Sequence, residues 1–168
     1  MNLALDNYAS TMARYNQWMN KNLYEVVARL ADDQRKADCG LFFDSIHGTL
    51  NHLLVCDLMW MARFKGEPMP VKSLYEELYS DFLDLKRARS QADIDIIAWA
   101  HGPALSPVPQ RLHYLSLAHN TERDVDFVQA IIHFFNHQTH HRGQVTAALS
   151  RLGMDFGVTD LIFMPGRE

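Results

Sequence analysis

Asn136-His137-Gln138-Thr139-His140-His141-Arg142-Gly143-Gln144, with His133 just before it, is the stretch of this chain whose residue types and spacing point to chemistry. On an α-helix His133, His137 and His141 fall four residues apart, so their imidazoles line one face at a separation that a metal ion can bridge. A His-x3-His pair supplies two neutral nitrogen ligands, and zinc or nickel then needs at least one more from another segment. The pair can be chosen as His133/His137 or as His137/His141. His140 lies about a hundred degrees round the helix from His141 and reads as a surface or interface residue. Of the nine histidines in the 168-residue chain, four lie within 133–141, a local crowding more informative than the total.

His47 and His52 are the candidates for the third ligand. A lone histidine on an apolar helix is more often a hydrogen-bonded core residue, which is the competing account of His52. Cys56, four residues on, could add a thiolate and close the site, although a small buried core residue is the simpler account. His101, His113 and His119 fall in a polar stretch where loop exposure explains them as well as an entrance to a site does.

These residues need helices to hold them, and the apolar periodicity supplies four. Tyr8, Met12, Tyr15, Met19, Leu23, Val26 and Leu30 alternate steps of four and three, which predicts helix one over about residues 6–30. After a polar link that Gly40 closes, Phe42, Ile46, Thr49, Leu53, Cys56, Trp60 and Phe64 share the face of helix two, about 41–64. Leu50, Leu54, Leu58 and Met61 widen that face. Gly66, Pro68 and Pro70 stop the helix. Ser73 and Glu76 read as a capping box that opens helix three, about 73–99. The prolines and Gly102 of 101–120 imply a long excursion with one short extended piece near 112–117. Thr121 and Asp124 read as the cap of helix four, which Gly153 ends. In the tail, Asp160–Phe163 is expected to dock on the bundle. The predicted fold is all-α, a single-domain four-helix bundle with a long crossover excursion between helices three and four, and bundle interiors commonly hold metal sites.

Composition narrows the setting. At 48% hydrophobic and 21% charged, with net charge −4, the chain reads as an ordinary globular domain. No basic cluster suggests nucleic acid, and no stretch approaches the ~18 apolar residues of a membrane span. Two cysteines, Cys39 and Cys56, cannot build a disulfide framework, and the N-terminal residues lack a basic, apolar leader. The expectation is a cytoplasmic protein with neither nucleic acid nor membrane as partner.

The run His137-Gln138-Thr139-His140-His141-Arg142-Gly143-Gln144, together with Ser45-Ile46-His47-Gly48-Thr49-Leu50-Asn51-His52, Tyr15-Asn16-x-Trp18 and Asp160-Leu161-Ile162-Phe163, resembles the DinB/YfiT-like family of damage-inducible bacterial proteins. That family shares a name with a translesion polymerase and nothing else. The resemblance runs over nearly the whole chain. It implies an antiparallel four-helix bundle, often a homodimer, holding a divalent metal, usually nickel or zinc, on three histidines. The family's helix-two ligand precedes an acidic residue by five and an aromatic by eight, a register met here by His52, Asp57 and Trp60. Its helix-four pair ends just before Arg-Gly-Gln, which selects His137 and His141. His47 and His133 are then left as supporting or packing residues, and Cys56 stands where the family has a small residue.

Three neutral histidines leave positions open for water or substrate, and a metal there lowers the pKa of bound water toward ~7 or takes a thiol as thiolate. Without a carboxylate ligand, the oxygenase triad of two histidines and one acid is disfavoured. Relatives are similar to thiol S-transferases and to metal-dependent hydrolases. The reading is therefore a metal-dependent enzyme of one of those types, acting on a small molecule such as a low-molecular-weight thiol. Metal-bound water would serve as nucleophile or base, and Asp57 or Gln144 would orient the ligands. The competing readings are a stress protein with a structural metal and a dimeric interaction module.

Overall fold

The computed structural model describes residues 3–102 and 107–166, so part of the expected excursion, residues 103–106, lies outside the described residues. The chain is mostly helical. Four long helices, α1 (Leu3–Val27), α3 (Ile46–Lys65), α4 (Phe82–His101) and α5 (Phe127–Arg151), carry the core, α1 and α3 each packing on both α4 and α5. A short helix α2 (Asp32–Lys36) occupies the expected polar link, and the expectation of an all-α fold is corrected by a hairpin of β1 (Arg111–Ser116) and β2 (Thr121–Asp126).

The hairpin explains why the Thr121/Asp124 cap does not form. Leu112, Tyr114 and Ser116 alternate with Arg111, His113 and Leu115, and pair in antiparallel register with Val125, Arg123 and Thr121. That two-residue period suits a strand packed on one face. Asn120 closes the turn at φ 49°, a left-handed conformation that asparagine tolerates. Helix α5 instead begins after Asp126, whose side chain accepts from the Gln129 N–H. Gly153, at φ 70°, follows its last turn as expected.

Helix α4 likewise starts at Phe82, capped by Asp81, rather than at Ser73. Ser73 and Glu76 do make local bonds, but Ser73 Oγ accepts from the Tyr75 N–H and Glu76 from the Lys72 N–H, which closes turns instead of a helix. Segment 67–81 lies across α3 because α3 holds it there: Asn51 accepts from the Tyr79 N–H and donates to the Tyr79 carbonyl, to which His47 Nε2 also donates. Helix α3 begins at Ile46 behind the Ser45 cap, so Phe42 falls outside it and is 69% exposed, not on the buried face.

Along α1, α4 and α5 the apolar residues divide into two clusters with polar residues between. On α5, Phe127–Phe135 belong to one cluster and Val145–Leu149 to the other, with Gln138 and Arg142 between them. Those polar residues meet. Arg89 Nη1 donates to Asp57 Oδ2 at 2.5 Å and its Nη2 lies 2.9 Å from Asp93 Oδ1. Gln138 donates to Asp57 at 3.0 Å, Asn16 and Asn20 donate to Asp93 at 3.0 and 2.9 Å, and Arg142 donates to Asn16. The two carboxylates and two guanidinia balance in charge, and all four are buried.

The tail docks, though not by the residues expected. Met154 and Phe156 pack on the second cluster and Tyr15 OH donates to the Thr159 carbonyl at 2.5 Å, while Leu161–Phe163 form an exposed turn with Ile162 84% accessible.

Asp57→Ala leaves Arg89 short of a buried partner and should cost about 3–5 kcal/mol. Asp124→Ala, at the exposed Arg111–Asp124 pair, should cost far less, because solvent screens both charges. Urea unfolding of both variants measures the contrast; equal losses would mean that the buried network carries no special weight.

Candidate metal centre

The face of α3 that meets α5 beside the hairpin brings the expected histidines together. The ring centroids of His52 and His137 are 5.3 Å apart, those of His52 and His141 4.7 Å, and those of His137 and His141 4.4 Å. One ligand atom each from His52, Cys56 and His137 lies within 4.8 Å of the others. Cys56 is a buried residue of the first apolar cluster, as expected, and its Sγ also lies 3.5 Å from His52 Nε2, within reach of this site.

Two of the three rings are set by a partner that fixes the tautomer. His52 Nδ1 donates to the Leu74 carbonyl at 3.0 Å, and His141 Nδ1 donates to Gln144 Oε1 at 2.7 Å. Both therefore present an unprotonated Nε2, the arrangement that metal ligation requires. Phe43 stacks on His52 at 3.7 Å and meets His141 edge-on at 5.8 Å. Gly48 permits this placement, because a Cβ there would come within 2.3 Å of the Phe43 carbonyl oxygen. Among the described residues no hydrogen bond holds His137, whose ring faces the other imidazoles.

Burial decides the charge state. Desolvation, reinforced for His137 by the neighbouring imidazoles, lowers His137 to about 3, and desolvation lowers His52 to about 4 despite the bond to Leu74. His141 is lowered by the same cause. Burial also raises the Cys56 thiol to about 12. The donor atoms that converge are those of His52, Cys56 and His137, with the His141 ring beside them, and among the described residues no carboxylate joins the group; neutral imidazoles with a thiol in reach suit a divalent transition metal.

The remaining candidates do other work. Asp57 is held by Arg89 and Gln138 in the buried network, and among the described residues it has no hydrogen bond to the three histidines. His47 pins segment 67–81 through Tyr79, and His133 packs on Trp60 with its ring 5.9 Å from His137. His140 is exposed, with its ring 4.9 Å from that of His141. His101 bonds Ser10 and the Ile97 carbonyl, tying α4 to α1, and His113 lies on the outer hairpin face beside Asp124. Phe43, Leu74 and Gly48 were not singled out as site residues from the sequence. A backbone carbonyl or a ring brought in by an irregular segment has no periodicity to betray it.

A cavity of about 440 Å³ opens onto His52, Cys56 and His137 and is roofed by the hairpin, with Tyr114, Leu117 and His119 in its wall. A groove of about 550 Å³ lies on the other side, between Phe43, His52 and Tyr75.

A family model described as the DinB family matches residues 1–166. Among curated proteins, Protein DinB of Bacillus subtilis (strain 168) is 21% identical over 159 residues, which cover 93% of this chain and 92% of that one.

The folded-state values of His52 and His137 lie below the ordinary 6.5 of an unfolded histidine. Metal-free protein should therefore keep this contribution to stability above pH 6.5 and lose it progressively as the pH falls toward 4. Urea midpoints in the presence of a chelator should drop from pH 7 to pH 5, and drop less in His137→Phe. A fall of equal size in the variant would contradict the account.

Proposed function

The chain belongs to the DinB family, and from that membership and the geometry of the cluster we propose that it is a metal-dependent enzyme of the thiol S-transferase or hydrolase type. The observation that carries this reading is the cavity that opens directly onto His52, Cys56 and His137, since a centre meant only to pin helices needs no chamber beside it. In this reading His52, His137 and His141 are the ligands and the metal is nickel or zinc. A divalent ion at that place supplies Lewis acidity, which lowers the pKa of a bound water or thiol.

The protein's own groups supply the rest. The Leu74 carbonyl and Gln144 hold two of the rings in the ligating tautomer, Phe43 fixes their planes, and the hairpin limits the access of water. The substrate is a small molecule such as a low-molecular-weight thiol. We take the four long helices to form an antiparallel bundle, and the protein to act in the cytoplasm as a homodimer. Exposed Leu161, Ile162 and Phe163 favour the dimer.

A second reading, a structural metal in a non-enzymatic stress protein, is favoured by one observation. Cys56 lies close enough to His52 and His137 to act as a fourth protein donor, which would leave no position for substrate.

Elemental analysis of protein made without a polyhistidine tag should find about one equivalent of transition metal. His52→Ala and His141→Ala should lose it and His140→Ala should keep it. Full metal content in His52→Ala would overturn the ligand set. Under the enzymatic reading Cys56→Ser retains the metal, whereas loss of metal together with a large fall in Tm would favour the structural one.

A further inference from the structure

The cavity over the centre has a charge of its own. Arg63 of α3 and Arg123 of β2 both line it, and no Asp or Glu is among the described residues of its wall. In a chain of net charge −4 with twenty acids, that segregation calls for a cause. The hairpin supplies one. Arg123 lies directly opposite Tyr114 in the antiparallel register, and cross-strand partners share a face, so the alternation that turns Tyr114 and Arg123 toward the cavity turns Glu122, Asp124 and His113 away from it. The acids of β2 thus face solvent. Asp124 is taken up by Arg111 at 2.7 Å, while no carboxylate lies within ion-pair distance of Arg63 or Arg123 among the described residues.

Arg63 is held in place without being neutralised. Its guanidinium stacks over Trp60 at 4.7 Å and Tyr114 at 4.1 Å, its Nη2 reaches the Leu115 carbonyl at 3.4 Å, and its Nε is buried with no partner. A guanidinium held over two rings that themselves meet edge-on, with donors to spare at the wall of a cavity, is preorganised for a carboxylate or phosphate. The groove on the far side of Phe43 differs: Asp44, Glu76 and Glu77 line it beside Lys36.

We propose that the cavity over the metal centre takes a small organic anion, whose carboxylate or phosphate is read by Arg63 and Arg123 while its reacting end faces His52 and His137. This rests on the metal-centre reading and adds the substrate's charge and orientation. The apolar wall of Met59, Trp60 and Leu117 would cover the part between. Arg63 and Arg123 are specificity residues in this account, and neither ligates the metal.

The test is calorimetric titration of zinc-loaded protein with mercaptopropionate against mercaptopropanol, and with mercaptohexanoate against mercaptohexanol. The thiol is common to each pair and only the charge differs. At one reach or the other the acid should bind about tenfold more tightly, the weight of one charge-assisted hydrogen bond. That preference should fall severalfold in Arg63→Gln and in Arg123→Gln at unchanged zinc content. Arg123→Gln alters an exposed side chain and keeps the test decisive if Arg63→Gln loosens the stack. The same pairs are followed in metal-free protein by the Trp60 indole N–H signal in NMR spectra, where both bind more weakly and the ratio persists. Protein that takes up no zinc but keeps the ratio would overturn the metal reading and leave the anion site standing. No preference in either form, or a preference that both variants keep, would overturn the anion site.

Discussion

Burying two carboxylates and two guanidinia at the middle of a helical protein is tolerated only if each finds its counterpart, and this requirement governs how the four long helices meet. Asp57 on α3, Arg89 and Asp93 on α4, Asn16 and Asn20 on α1, and Gln138 and Arg142 on α5 satisfy it together. Apolar contacts alone would allow a helix to slide or rotate by a residue with modest loss. A charge network does not, because any slip strands a charge away from water.

The rotation of α5 is what the candidate centre depends on. Gln138 and Arg142 each follow a histidine directly, so turning those two residues into the network turns His137 and His141 toward α3 and His52. The network and the cluster are adjoining faces of one helix. From there local bonds take over: the Leu74 carbonyl and Gln144 set the ring tautomers, and Phe43 fixes the ring planes. The same division recurs in the hairpin, whose strand alternation puts Arg123 over the cavity and the acids of β2 outside it.

Much of this was legible in the residues. The face shared by His137 and His141 follows from spacing alone, and the helical periodicity located all four long helices, missing mainly at their starts. The network also left a signal: Arg89 and Asp93 sit between Leu85 and Ile96 on the buried face of α4, where a charged pair four residues apart has to be satisfied internally. Other features left none. Ser73/Glu76 and Thr121/Asp124 carry valid cap chemistry, yet the first serves a turn that Asn51 and His47 pin across α3, and the second lies in a strand with its partner in β1. Tertiary partners decided both. Phe42 matched the helical period of α3 but precedes the Ser45 cap, and Leu161–Phe163, apolar enough to be buried, remain exposed.

The central proposal is that His52, His137 and His141, kept neutral by burial and two of them oriented by the Leu74 carbonyl and Gln144, serve as a set of nitrogen donors. X-ray absorption at the zinc edge of the loaded protein tests it most directly. The account predicts nitrogen neighbours at about 2.0–2.1 Å with the outer-shell scattering of ordered imidazole rings. A shell of oxygens without imidazole scattering would contradict it.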